Sequence, residues 1–203
     1  MQIGPIAASS TSYNVTASSA GETATLTDVL FGDVWLCSGQ SNMQFTVDSA
    51  FNATAEVAAA GNFPLIRLFT AAMIASDTPL TELAQVEEPW SVASAAAVGG
   101  GNWTYFSAMC WFYGRDIFQE LQYPIGLIAT DWGGTPDEAW SSPAALAKCP
   151  HSAPAKPQAS PSPDADSTLW NAMIVPFLRT TITGAIWYQG EADAQAPQAV
   201  ECT

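Results

Sequence analysis

The hydrophobic rhythm of the chain changes at Asp33. Before it, residues 12–30 alternate small, polar and apolar positions (Tyr13, Val15, Ala17, then Ala24 and Leu26) around Ser19-Ala20-Gly21-Glu22, which predicts two strands joined by a turn. A lone hairpin is barely stable in water, so residues 1–30 are expected to be the end of an N-terminal β domain, with a second unit over 31–203. After Asp33 the apolar residues come in short unbroken runs. Residues 34–37, 65–69 (behind Pro64), 125–129 (behind Pro124) and 182–188 are too short for helices and read as strands buried on both faces of a parallel sheet.

Helical spacing appears between these runs. Phe106, Cys110, Tyr113, Ile117 and Leu121 recur at intervals of four, three, four and four, marking one face of a helix over 105–122 that Pro124 stops. A further helix is predicted over 168–178. Strands alternating with helices imply a parallel α/β sheet, in which ligands sit at the carboxyl ends of the strands. The segment 141–167, with six prolines among Ser, Ala and Asp, predicts a long surface loop.

Composition narrows the partners. With 5 Lys+Arg against 19 Asp+Glu and a formal charge of −14, binding to a phosphate backbone or an anionic membrane surface is disfavoured, and nucleic acid is excluded as a partner. No stretch approaches the roughly 20 apolar residues of a membrane span, and Met1-Gln2-Ile3-Gly4-Pro5 lacks the pattern of a signal peptide. Four cysteines (Cys37, Cys110, Cys149, Cys202) can pair in three ways, but Cys37 and Cys110, set in apolar runs, are expected to be buried thiols. Asn-x-Thr sequons at Asn14, Asn52 and Asn102 point toward a secretory route. No cofactor motif is present. A metal-dependent hydrolase is disfavoured, because Asp164 and Asp166 lie in the Pro-rich segment and no His/Cys ligand cluster exists.

Three unusual turns each follow a predicted strand: Gly39-Gln40-Ser41-Asn42, Trp132-Gly133-Gly134-Thr135 and Gln189-Gly190-Glu191. A serine hydroxyl needs a base and donors for the oxyanion formed on attack, and Ser41 at a strand-to-helix turn can offer its own N–H to that oxyanion. The competing role for Ser41 or Asn42 is to cap the following helix. Gly133 and Gly134 provide backbone that a substrate can approach closely, and Gln189 provides a side-chain NH2. Glu191 is expected to order the first turn of a following helix. The turn at Ser41 lacks the second glycine of an α/β-hydrolase elbow.

Together, residues 33–43, Ile125-Gly126-Leu127-Ile128, Trp132-Gly133-Gly134-Thr135-Pro136 with Glu138-Ala139-Trp140-Ser141, Leu169-Trp170-Asn171-Ala172-Met173-Ile174 and Trp187-Tyr188-Gln189-Gly190-Glu191 resemble the sialate O-acetylesterases of the SGNH-hydrolase superfamily. The resemblance implies a flavodoxin-like three-layer α/β fold flanked by β domains. It implies that Ser41 is the nucleophile, that Gly133 or Gly134 is the second oxyanion donor and that Gln189 is the third. The implied substrate is an O-acetylated sialic acid or sialoglycan, cleaved through an acyl-serine intermediate. The implied location of the full-length protein is lysosomal or secreted.

The base is the missing part. The superfamily uses an Asp-x-x-His element near the end of its domain, whereas this chain has one histidine, His151, in the Pro-rich segment, with Lys148 three residues before it. His151 reads as a solvated loop residue. The chain is therefore expected to be an incomplete version of a longer esterase, nearly inactive by itself. The alternatives are an acetylxylan or other carbohydrate acetylesterase, and a non-catalytic truncated isoform or pseudoenzyme that keeps a carbohydrate-binding cleft.

Overall fold

A computed structural model describes residues 4–100, 106–148 and 161–195, and they form two sheets. The smaller is the predicted hairpin. β1 (Ser9–Ser19) and β2 (Glu22–Phe31) pair antiparallel about Ala20 and Gly21, both at positive φ, the two-residue turn whose twist suits the strands it joins. Most of its side chains are exposed, and Asp28 ties it to the larger sheet through the Arg67 guanidinium at 2.8 Å.

The larger sheet contains β3 (Asp33–Gly39), β4 (Ile66–Ala71), β5 (Val86–Val92), β6 (Ile125–Asp131) and β7 (Gly184–Tyr188) in the order β5-β4-β6-β3-β7. Four strands run parallel, and β5 runs antiparallel to β4. That corrects the expectation of a parallel sheet throughout. The β5 sequence, with Glu87-Glu88-Pro89 at its centre, has no apolar run to betray a strand, and Pro89 is tolerated because an edge strand can spare an N–H.

The helices are α1 (Ser41–Gln44), α2 (Ala53–Ala59), α3 (Ala95–Val98), α4 (Ala108–Leu121), α5 (Asp137–Trp140) and α6 (Pro143–Leu146). Ser107 caps α4 by accepting the Cys110 N–H at 3.1 Å. The apolar face of α4 then buries Cys110 and Trp111 against Ile125 and Leu127 of β6 and Ile66 and Leu68 of β4. Glu56 fastens α2 to α4 by accepting from Trp111 Nε1 at 2.7 Å and from Arg115 at 2.6 Å.

The opposite face of the sheet is covered by residues 170–177. The single helix expected over 168–178 is instead a π-helical turn (Trp170–Ile174) followed by a 3-10 turn (Val175–Phe177). Pro176 has no N–H to continue a regular ladder. Thr130, on the face of β6 away from Leu127 and Ala129, donates to the Met173 carbonyl at 3.0 Å and pins this layer down. The result is a three-layer α/β arrangement. The expected surface loop over 141–167 contains α6, capped by Ser142, and its residues 149–160 lie outside the described residues.

Cys37 and Cys110 are fully buried and joined as a disulfide, 5.8 Å apart at Cα, which corrects the expectation of free thiols. Alternate residues of β3 face α4, so Cys37 meets the first turn of the helix directly. Cys149 and Cys202 lie outside the described residues. A crosslink spanning 73 residues removes much of the freedom of the unfolded chain. Reduction, or Cys110→Ser, is expected to cost about 2–5 kcal/mol, read as a fall in melting temperature. An unchanged melt would show that β3 and α4 are held by packing alone.

Candidate active site

The connection leaving β3 runs toward β4, and the one leaving β6 crosses to β7 on the other side of β3. Crossovers that leave adjacent strands in opposite directions open a crevice at the carboxyl ends of that pair, β6 and β3, and the three unusual turns converge there. Gln40 N–H donates to the Tyr188 carbonyl at 3.0 Å, and Trp132 N–H donates to the Gly39 carbonyl at 3.0 Å. Gly39 makes this approach possible. Its φ is +141°, and a Cβ there would lie 2.0 Å from the Tyr188 carbonyl oxygen.

Ser41 is the first residue of α1 and is exposed. Its hydroxyl and its N–H have no hydrogen-bond partner among the described residues. Neither Ser41 nor Asn42 caps the helix: the N-cap is Gln40, which makes no side-chain cap bond. The hydroxyl is thus presented at the tip of β3 without a structural task.

Glu191 does not order a following helix, as the sequence suggested. Its two carboxylate oxygens accept from Gln40 Nε2 and Asn42 Nδ2, the residues on either side of Ser41. Its own backbone N–H holds the carboxyl below the usual glutamate range, and the Asn42 and Gln40 amides add to this against partial desolvation. A charged acceptor from the end of β7 therefore brackets the Ser41 turn.

Gly133 and Gly134 both reach the crevice but in different states. Gly133 lies against Ser41, since a Cβ on it would be 3.2 Å from Ser41 Cβ, and its N–H donates to Gln44 Oε1 at 2.7 Å. Gly134 is exposed at φ +81°, and its N–H has no partner among the described residues. Gln189 comes to the same loop, but its amide hydrogens go to Asp193 Oδ2 and the Thr135 carbonyl. His151 lies outside the described residues.

Two groups at this edge carried no motif. Asp131, paired with Gly39 across β3 and β6, is 8 % exposed with one carboxyl oxygen unpartnered, and burial pushes it up to about 8. Gln44, also 8 % exposed, is the acceptor for Gly133. Among the described residues no group of three His, Cys, Asp or Glu gathers to hold a metal, and no helix is long and apolar enough to cross a membrane.

Residues 31–202 match the family described as carbohydrate esterase, sialic acid-specific acetylesterase. The chain belongs to this family. It is 46 % identical over 168 residues to the sialate O-acetylesterase of Homo sapiens, covering 82 % of this chain and 32 % of the relative. It is 41 % identical over 217 residues to that of Rattus norvegicus, covering 90 % of this chain and 40 % of the relative. The chain thus spans about a third to two-fifths of the length of these curated relatives. Its fold matches the crystal structure of a carbohydrate acetylesterase from Xanthomonas citri with a TM-score of 0.83 and 31 % identity, over 98 % of this chain and 42 % of that one.

The buried carboxyls of this family member give stability a defined pH dependence. Burial raises Asp131 from 3.8 to about 8, and raises Glu88 from 4.5 to about 7 against the nearby Ser91 and Thr70 hydroxyls. The folded chain keeps protons that the unfolded chain has released, so stability falls as pH rises from about 4 to about 8. Melting temperature is expected to be highest in mild acid, and Asp131→Asn to flatten its decline and raise it at pH 8. A melt that climbs over this range would contradict the burial of neutral carboxyls.

Proposed function

We propose that the protein is a serine esterase that removes O-acetyl groups from sialic acids. The observation that carries this reading is the unengaged Ser41 hydroxyl, set at the tip of β3, with uncommitted backbone N–H groups in the turns that converge at this edge, its own and that of Gly134. In the reaction, Ser41 Oγ attacks the acetyl carbonyl carbon and its proton passes to a base. The oxyanion is met by the two N–H groups, and collapse expels the sugar hydroxyl with the proton returned to it. Water then cleaves the acyl-serine by the same route, releasing acetate. Glu191 keeps the turn rigid so that no hydrogen bond has to be made at the moment of reaction.

The sequence supplies no Asp-x-x-His element, so turnover by this chain alone is proposed to be close to background. That makes added imidazole a direct probe, because a free base can stand in for the missing one. The hydrolysis of p-nitrophenyl acetate that remains after subtracting a Ser41→Ala control is expected to rise with imidazole. If wild type and Ser41→Ala track each other at every concentration, Ser41 is not the nucleophile. Glu191→Gln, which leaves a neutral amide facing the Gln40 and Asn42 amides, is expected to lower the Ser41-dependent rate about 10- to 100-fold, the worth of hydrogen bonds to a charged group. A rate within twofold of wild type would reduce Glu191 to a surface carboxylate.

A lysosomal or secreted setting for the whole protein is part of the proposal. It is supported by the Cys37–Cys110 disulfide, which suits an oxidising route, and by the exposed sequon residues Asn14 and Asn52. Asn102 lies outside the described residues. A second reading, an acetylesterase for another carbohydrate such as acetylxylan, is favoured by the fold match to the Xanthomonas citri carbohydrate acetylesterase. Acetate release from 9-O-acetylated sialic acid set against acetylxylan separates the two.

A further inference from the structure

Gln44 sits at the end of α1 with its side chain turned back under the nucleophile. Its Oε1 accepts the Gly133 N–H at 2.7 Å, its Nε2 donates to the Met73 sulfur at 3.2 Å, and its backbone N–H closes onto the Gln40 carbonyl at 2.9 Å. One buried amide therefore joins the turn after β3, the loop after β6 and the residues after β4. Oxyanion stabilisation depends on donors held in place before the charge appears.

A glycine loop with φ +81° at Gly134 has no side chain to fix its orientation. Rotation of the Gly133–Gly134 peptide would re-aim the Gly134 N–H, which has no partner among the described residues to hold it. Gly133 packs close to both Ser41 and Gln44, since a Cβ there would meet Ser41 Cβ at 3.2 Å and Gln44 Oε1 at 2.8 Å.

We propose that Gln44 is a positioning residue for the oxyanion site: it commits the Gly133 N–H to α1, and so makes Gly134, with Ser41, the backbone donor pair. This rests on the serine esterase reading above. Gln44→Met keeps the length of the side chain and removes the amide oxygen. Gln44→Glu keeps an acceptor for Gly133 and gives up the Met73 contact.

The test combines amide hydrogen exchange at Gly133, followed by NMR, with the imidazole-supported, Ser41-dependent hydrolysis of p-nitrophenyl acetate, each normalised to folded protein by near-UV circular dichroism. Gln44→Met is expected to speed Gly133 exchange and slow hydrolysis by about tenfold or more with KM within twofold. Gln44→Glu is expected to restore both toward wild type. The proposal is overturned if Gly133 exchanges as fast in wild type as in Gln44→Met, or if Gln44→Met hydrolyses like wild type while Ser41→Ala does not. Should Ser41→Ala itself match wild type, the esterase reading fails and the exchange data alone decide whether Gln44 holds Gly133.

Discussion

The backbone contact between Gly39 and Tyr188 governs the geometry of this molecule. Only glycine allows the end of β3 to lie so close to the end of β7, and the Gln40 N–H then has the Tyr188 carbonyl as its acceptor. With Trp132 N–H on the Gly39 carbonyl from the other side, the residue before the Gln40-Ser41 turn is clamped between both neighbouring strands. Two residues earlier the Cys37–Cys110 disulfide fixes β3 to α4. Any side chain at position 39 would push β7 away, and with it Glu191, so a packing constraint at one glycine becomes a constraint on the chemistry.

Around that clamp, the side-chain amides are spent on the scaffold. Gln40 and Asn42 donate to Glu191, Gln44 joins Gly133 and Met73, and Gln189 joins Thr135 and Asp193. Each of these bonds runs between different strand-end turns, or ties a turn to the residues just after it. Such cross-links cost conformational entropy once, on folding, and none during reaction. What stays uncommitted is backbone N–H, the donor type whose position is fixed most tightly by the fold.

The turns were legible in the sequence because they are local: a short apolar run ending in Gly-Gln-Ser-Asn or Trp-Gly-Gly-Thr declares a strand end and an accessible backbone within a few residues. The hairpin was legible for the same reason, through alternation about Ala20-Gly21. β5 was not, since its Glu87-Glu88-Pro89 core carries no hydrophobic period and its pairing with β4 comes from tertiary context. Nor was the split at 170–177, where apolar spacing fits a helix and one proline decides otherwise. The partner of Glu191 was hidden because Gln40 and Asn42 lie some 150 positions away, 151 and 149 in sequence, and nothing in a Gln-Gly-Glu turn names the loop that it will meet. The disulfide was hidden by its own burial: cysteines in apolar runs look the same whether or not they face each other.

The titratable groups add a constraint of a different kind. The chain carries a formal charge of −14, yet Asp131 and Glu88 are placed where burial keeps a carboxyl protonated, to about 8 and about 7. Under the proposed mechanism, ionising Asp131 would put an anion beside Gly39, next to the turn that carries Ser41, and like charges oppose an oxyanion formed there. A neutral Asp131 avoids this conflict, and it stays neutral most securely below pH 8. Acidic surroundings therefore favour the folded chain through the protons on Asp131 and Glu88, and under the proposed mechanism the Asp131 proton also suits the electrostatics of the candidate site.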